Sequence, residues 1–196
     1  MAIEIEVKAH VKDPQALKNR ISLLAASAPF SFEKDDCYWI TAGSVPGGIP
    51  KSGVRVRREK HWQDGAEKDE KILVTYKSKE IRDGIEINDE REFAVSSGDT
   101  FTELLKRLGL EPGIQKHKQG WSWIYGNVHA ELCEVSGPDR NLGWFAELEI
   151  LADDAGTETV AAARKQLLEL LEKLSIPKDS IEERYYSELL SPLWTP

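Results

Sequence analysis

The amino-acid sequence predicts an antiparallel α+β fold of about eight strands and three to four helices. Two observations carry this. Segment after segment alternates apolar and charged side chains with the period of two that a strand imposes. Between and after these segments lie apolar stripes at spacings of three and four, as on a helix. The opening stretch, Ile3-Glu4-Ile5-Glu6-Val7-Lys8, shows the first pattern plainly: Ile3, Ile5 and Val7 share one face, and two carboxylates and an ammonium share the other.

The later elements follow the same two rules. Asp13-Pro14 predicts an N-cap followed by proline at the first helical position, with Leu17, Ile21 and Leu24 behind it. That helix should cover the apolar face of the first strand. Asp36 to Ile40 predicts a second strand. Gly43 to Gly53, with two prolines and four glycines, predicts a loop and a candidate mobile rim. From Gly53 to Arg58 the opening pattern returns with opposite sign, Val54 and Val56 against Arg55 and Arg57. Lys71 to Lys77 is a further strand, with Lys79 two residues beyond, and Ile85 to Val95 sets Glu90 and Glu92 against Arg91, Phe93 and Val95. Asp99 is the expected cap of a short helix striped by Phe101, Leu104, Leu105 and Leu108 and closed by Gly109. Lys116 and Lys118 lead into an aromatic strand, Trp121 to Tyr125, which a turn at Gly126-Asn127 joins to Val128–Val135. Trp144 to Leu151 is the last strand, with Glu147 and Glu149 alternating against Ala146, Leu148 and Ile150. A long helix through Val160, Ala163, Leu167, Leu170, Leu171 and Leu174 is expected to end at Pro177. A short amphipathic tail, Glu182 to Leu190, precedes a fraying Ser191 to Pro196.

These strands carry rows of charge at alternate positions, and two geometries fit them. An open sheet would turn the rows to water and take helices on its back. A closed sheet would line an interior with them, and such an interior is stable only if wet or filled by a counter-charged ligand. Periodicity leaves the choice open.

Composition bounds the function. The 196 residues are 40% hydrophobic and 31% charged, which suits one well-cored domain spanning residues 1–196. No apolar run approaches a membrane span and the N-terminus is charged within four residues, so a cytoplasmic protein with no membrane partner is expected. A formal net charge of -8 argues against general nucleic-acid binding. Cys37 and Cys133 belong to no CxxC pair, so neither a zinc ribbon nor a disulfide framework is indicated. His10, His61, His117 and His129 are scattered and read as surface or structural residues. Trp121 and Trp123 could stack a base, although aromatic strand residues more often pack. P-loop, zincin and dinucleotide motifs are missing.

Against that acidic background the basic residues are concentrated. Lys8, Arg55, Arg57, Lys77, Lys79, Lys116 and Lys118 supply more positive charge than one phosphate needs, which suits a polyanion such as a triphosphate. Glu4, Glu6, Glu147 and Glu149 form two i, i+2 pairs of hard oxygen ligands, the kind that magnesium or manganese uses while also holding phosphate. A surface charge ladder explains any single pair better than a site does; it explains the whole set less well.

In order along the chain, Glu4-x-Glu6-x-Lys8, Arg55 and Arg57, Thr75-Tyr76-Lys77, Glu90-Arg91-Glu92, Lys116 and Lys118, and Leu142-Gly143-Trp144-Phe145-Ala146-Glu147-Leu148-Glu149 resemble the CYTH family. These are the triphosphate tunnel enzymes, which include class IV adenylyl cyclases and thiamine triphosphatases. Asp36-Cys37-Tyr38-Trp39 and the tail Tyr186-Ser187-Glu188-Leu189-Leu190 are most similar to the cyclase branch. The resemblance implies a closed eight-stranded antiparallel barrel with a charged interior and helices outside, the C-terminal helix and tail (about 157–190) packing on it. It implies catalytic roles for Lys8 and Lys77, triphosphate binding by Lys8, Arg55, Arg57, Lys77, Lys79, Glu90, Glu92, Lys116 and Lys118, and Mg2+ or Mn2+ held by Glu4, Glu6, Glu147 and Glu149. The substrate would be ATP or tripolyphosphate, and a homodimer is compatible. Two departures stand out. Lys118 replaces the family's usual Arg and loses its bidentate grip. Cys133 replaces a metal-binding Asp, and a thiol is a poor magnesium ligand. Glu131, two residues back on the same face, is the candidate replacement, which leaves the metal site in question and keeps a polyphosphate- or nucleotide-binding module without chemistry as an alternative. With the metal site intact, attack by the ribose 3′-hydroxyl would give cyclic AMP, and attack by water would make the enzyme a triphosphatase.

Overall fold

A computed structural model describes residues 3–25, 28–41, 52–82 and 84–191, without the side chains of Ser52, Lys77 and Lys79. The predicted Gly43 to Gly53 loop lies almost wholly outside the described residues, as do residues 192–196 of the segment predicted to fray.

Each alternating stretch is a strand: β1 (Ile3–Val11), β2 (Phe30–Thr41), β3 (Ser52–Gln63), β4 (Ala66–Arg82), β5 (Ile85–Val95), β6 (Leu110–Tyr125), β7 (Val128–Ser136) and β8 (Asn141–Ala152). Several run longer than their apolar alternation because charged residues continue the ladder. Glu59, Lys60 and His61 of β3, for example, face Lys71, Glu70 and Asp69 of β4. The helices are α1 (Pro14–Leu24), α2 (Gly98–Arg107), α3 (Thr157–Lys173) and the one-turn α4 (Tyr186–Leu189). Asp13 caps α1 as expected, accepting from the Ala16 amide at 2.9 Å. For α2 the cap is Ser97, accepting from the Thr100 amide at 3.2 Å, and Asp99 instead lies in the first turn. α3 stops before Pro177: Leu174 is its C-cap, and Ser175 takes a left-handed conformation with φ 57°. Among the described residues, no helix is long and apolar enough to cross a membrane.

All strand pairings are antiparallel and the sheet closes on itself in the order β1-β5-β4-β3-β2-β6-β7-β8. The closed geometry is therefore the one adopted. The hydrophobic core lies outside the barrel wall, where Ile5 and Val7 of β1, Trp123 of β6, Leu132 of β7 and Leu148 of β8 are covered by Leu17 and Ile21 of α1 and Leu167 and Leu171 of α3. Trp123 is thus a packing residue, and Trp121 stacks on Trp144 with ring centroids 5.8 Å apart. Neither offers a face to a base inside the barrel.

The alternate residues point inward and divide the interior into two ends. One is apolar: Phe32, Cys133, Val135 and Phe145 meet Tyr186 and Leu189 of α4. The tail is fastened there by the Glu182 amide donating to the Lys8 carbonyl at 2.9 Å, and by Arg140 donating to the Leu189 carbonyl at 2.9 Å. The other end is the charged cavity.

Candidate functional site: a charged cavity inside the barrel

The cavity measures about 380 Å³ and is lined from β1, β2, β3, β5, β6, β7, β8 and the tail. Its charged lining has a simple origin: along this part of the barrel the strands' period of two turns mostly charged side chains inward, while β1, β6, β7 and β8 send an apolar set outward to α1 and α3.

Three arrangements fill it. Glu4 and Glu6 of β1 and Glu149 of β8 converge, with one carboxylate oxygen from each lying within 4.8 Å of the others. Glu6 and Glu149 are direct cross-strand partners, which brings the third carboxylate to the first two. Three hard, anionic oxygen ligands at this separation fit a magnesium or manganese ion.

The second arrangement is basic. Arg57 forks onto Asp36, with Nε to Oδ1 at 2.7 Å and Nη2 to Oδ2 at 3.0 Å, and Lys116 reaches the same Oδ2 at 3.1 Å. Arg55 donates to Thr75 Oγ1 at 2.9 Å and approaches Glu92 at 3.4 Å and Glu90 at 3.8 Å. Asp36 is fully buried. Burial pushes its carboxyl up, but Arg57, Lys116 and Arg55 outweigh burial and hold it well below the ordinary carboxylate range. One buried carboxylate thus aligns two cations, Arg57 and Lys116.

The third arrangement is an ion network that Lys34 links through Glu59, at 3.7 Å, to Arg57. Lys118 lies between Glu131, at 2.6 Å, and Glu147; Lys34 donates to Glu131 at 2.7 Å. Glu147 also accepts from the Tyr186 hydroxyl at 2.7 Å and from the Cys133 thiol at 3.6 Å. Burial opposes the Lys118 charge, but Glu131 and Glu147 raise its pKa well above the ordinary lysine value. Burial, reinforced by Glu147, drives the Tyr186 hydroxyl well up, so Tyr186 stays a donor. Burial also raises Cys133 well above a free thiol, so it is a neutral SH.

Most of the sequence-predicted residues therefore meet in one cavity, but in a different grouping. Glu149 joins Glu4 and Glu6, whereas Glu147 and Glu131 are engaged by Lys118. Lys8 is buried and pairs with Glu86. Lys77 and Lys79 align in backbone register with Glu90 and Asn88, and their side chains lie outside the described residues. Sequence reasoning missed Lys34, Asp36, Glu59, Glu86 and Asn88 as interior groups, and Tyr186 as a wall of the cavity. The signal was present for Glu86 and Asn88, which continue the alternation of Glu90 and Glu92. His129, read as a surface or structural residue, lines the cavity and bonds Ser122; burial lowers its pKa, against the pull of Glu131. Asn88 is fully buried beside Glu4, and neither amide atom has a partner.

The CYTH domain model matches residues 2–186, nearly the whole chain. The chain belongs to the CYTH family. This CYTH protein is 26% identical over 201 residues to the "Putative adenylate cyclase MJ0240" of Methanocaldococcus jannaschii, covering 95% of this chain and 98% of that one. Its barrel is similar to the PH1819 protein of Pyrococcus horikoshii, with a TM-score of 0.77 at 23% identity over 95% and 97% of the two chains. It is also similar to the "Putative adenylyl cyclase HpAC1" of Hippeastrum, described as having a dominant triphosphatase activity. That match has a TM-score of 0.56 at 16% identity over 94% and 91% of the chains. Members of the CYTH family are adenylyl cyclase-like proteins or triphosphatases that depend on metal, and this chain's acidic cluster suits that chemistry.

Proposed function

We propose that this CYTH protein is a divalent-metal-dependent enzyme acting on a triphosphate, and that it converts ATP to cyclic AMP and pyrophosphate. The observation that carries the reading is the presence, in one cavity, of the convergent Glu4, Glu6 and Glu149 together with Arg55, Arg57 and Lys116. Arg55 and Arg57 present planar forks suited to phosphate oxygens, and Lys116 adds a point charge. Asp36 keeps Arg57 and Lys116 in place before substrate arrives, so little reorganisation is needed as negative charge develops on the phosphates. Glu4, Glu6 and Glu149 would hold Mg2+ or Mn2+, which when bound supplies Lewis-acid stabilisation of phosphoryl oxygens. Cyclisation further requires the ribose to be oriented so that its 3′-hydroxyl lies in line with the α-phosphorus. Support for the cyclase reading comes from the name of the Methanocaldococcus relative.

A second reading, hydrolysis of the triphosphate, is favoured by the lining. Leu151 is its one aliphatic side chain among the described residues, and the rest are charged groups, His129 and three tyrosines, which suits a phosphate chain better than a base. The Hippeastrum neighbour supports it also. Incubating the protein with ATP, and separately with tripolyphosphate, in the presence of Mn2+ and resolving the products discriminates the readings. Cyclic AMP with pyrophosphate is expected. Orthophosphate without cyclic AMP would replace the cyclase by the triphosphatase. Binding with no turnover of either substrate would leave only a polyphosphate-binding module.

A further inference from the structure

We propose that the Lys118 ammonium is a built-in cation that closes the Glu131–Glu147 pair to metal, so that the barrel interior holds a single divalent ion, at Glu4, Glu6 and Glu149. The inference rests on the metal-enzyme reading for that one ion and goes beyond it in stoichiometry and in the role of Lys118.

Glu131 and Glu147 are direct cross-strand neighbours on β7 and β8 and face the interior together, which would suit them to bridge a metal. Three of their four oxygens accept hydrogen bonds from the chain itself, and the fourth, Glu131 Oε2, is held in an ion pair. Glu131 Oε1 accepts from Lys34 at 2.7 Å, and Glu131 Oε2 lies 2.6 Å from Lys118 Nζ. Glu147 Oε2 accepts from Lys118, and Glu147 Oε1 accepts from the Tyr186 hydroxyl at 2.7 Å and the Cys133 thiol at 3.6 Å. A magnesium ion bridging the pair would take at least one oxygen from each carboxylate, and the Lys118 ammonium, which lies between them, would have to withdraw. Lys118 has little room to do so, since its side chain is only 5% exposed and its ammonium lies 5.7 Å from the Phe32 ring at the apolar end. The two carboxylates are flanked by two ammoniums, Lys118 and Lys34, the latter shared with Glu59 at 3.7 Å, and Cys133 adds a neutral thiol where a carboxylate would add further negative charge. A dication brought to this pair would stand against two buried ammoniums, Lys118 and Lys34. By the same contacts Lys118 is a structural counter-ion rather than a phosphate ligand, and the triphosphate is left to Arg55, Arg57 and Lys116.

Mn2+ binding to the whole protein, measured by electron paramagnetic resonance and by calorimetry without any phosphate present, tests this. With the partly exposed Glu33–Asp35–His117 group disabled by His117→Ala in every protein compared, the otherwise wild-type chain should bind one Mn2+. Glu149→Gln should lose it, leaving none, whereas an ion on Glu131 and Glu147 would survive that substitution. Lys118→Met should raise the number from one to two. Two Mn2+ in the otherwise wild-type chain, or one retained in Glu149→Gln, overturns the inference while leaving the protein a metal enzyme. A folded Lys118→Met that still binds one also overturns it. No Mn2+ in the otherwise wild-type chain removes the metal reading itself, and this inference with it. The Glu149→Gln arm keeps the test decisive should Lys118→Met fail to fold.

Discussion

Replacing Asp36 by Asn removes one charge and almost no volume from the most highly connected carboxylate of the basic bank. In the wild type, Asp36 is fully buried and receives two bonds from Arg57, at 2.7 and 3.0 Å, and one contact from Lys116 at 3.1 Å. Breaking a buried ion pair by removing one partner costs about 3–5 kcal/mol, because the other charge is left uncompensated. Arg57 retains Glu59 at 3.7 Å, which places Asp36→Asn near the lower end, about 3 kcal/mol. For a chain of this size that lowers Tm by roughly 6–12 °C. The sign with pH follows from the depressed carboxyl. Its contribution is present above the unfolded pKa of about 4 and is lost as pH falls through the lower folded value, so the two proteins should converge in acid. Tripolyphosphate should compensate, since its oxygens can meet Arg57 and Lys116, and its stabilising effect should be larger in the variant than in the wild type. Thermal denaturation followed by circular dichroism, at pH 7 and pH 3 with and without tripolyphosphate, measures all of this. A variant within about 1 kcal/mol of wild type at pH 7, or one that tripolyphosphate stabilises less, would refute the role given to Asp36.

Three further outcomes are expected. Gly120→Ala would place a Cβ 2.1 Å from the Leu132 carbonyl and 2.7 Å from Cys133 Cα, both backbone atoms, so β6 and β7 must separate; a loss of about 3 kcal/mol in urea denaturation is expected, the upper end for overpacking. Asn88→Leu removes a buried amide with no partner, so stability should rise by about 1–2 kcal/mol while triphosphate turnover falls, and a variant both less stable and equally active would show that the amide serves neither part. Cys133→Asp adds a third carboxylate against Glu131 and Glu147. Its urea midpoint should therefore be lower than wild type at pH 7 and recover toward pH 5, where the added group takes up a proton; a pH-independent difference would contradict this.

The strands, their pairing faces and three of the helices were legible because each rests on a local pattern, alternation in Ile3 to Lys8 or the stripe from Val160 to Leu174. Closure was not, since Glu4 and Glu6 alternate identically whether they face water or an interior, and the family resemblance was needed to choose. Within the site, Glu147 and Glu149 have the same residue type, strand and face. What separates them is who stands opposite: Tyr186 from the tail and Lys118 from β6 meet Glu147, while β1 brings Glu6 to Glu149. Those contacts are long-range and leave no mark on the local sequence. Asp36 was hidden in the same way, because its partners Arg57 and Lys116 come from two other strands. Ser97 rather than Asp99 caps α2 because the chain stays extended through Ser97 and turns helical immediately after it, a choice of position between two good capping residues.

The last strand has a consequence for how the molecule comes to exist. β8 pairs with β7 on one side and with β1 on the other, and its pairs with β1 run from Ile3–Ala152 to Val11–Trp144. Before β8 is in place, β1 and β7 are both unsealed sheet margins, with backbone donors and acceptors open to any passing strand. One strand, late in synthesis, abolishes both margins at once. Because its contacts join the two ends of the barrel sequence, sealing is a step of high contact order and should be slow relative to formation of the hairpins. A chain interrupted between β7 and β8 is therefore a self-adhesive sheet, and the same chain a dozen residues longer has closed both of those margins.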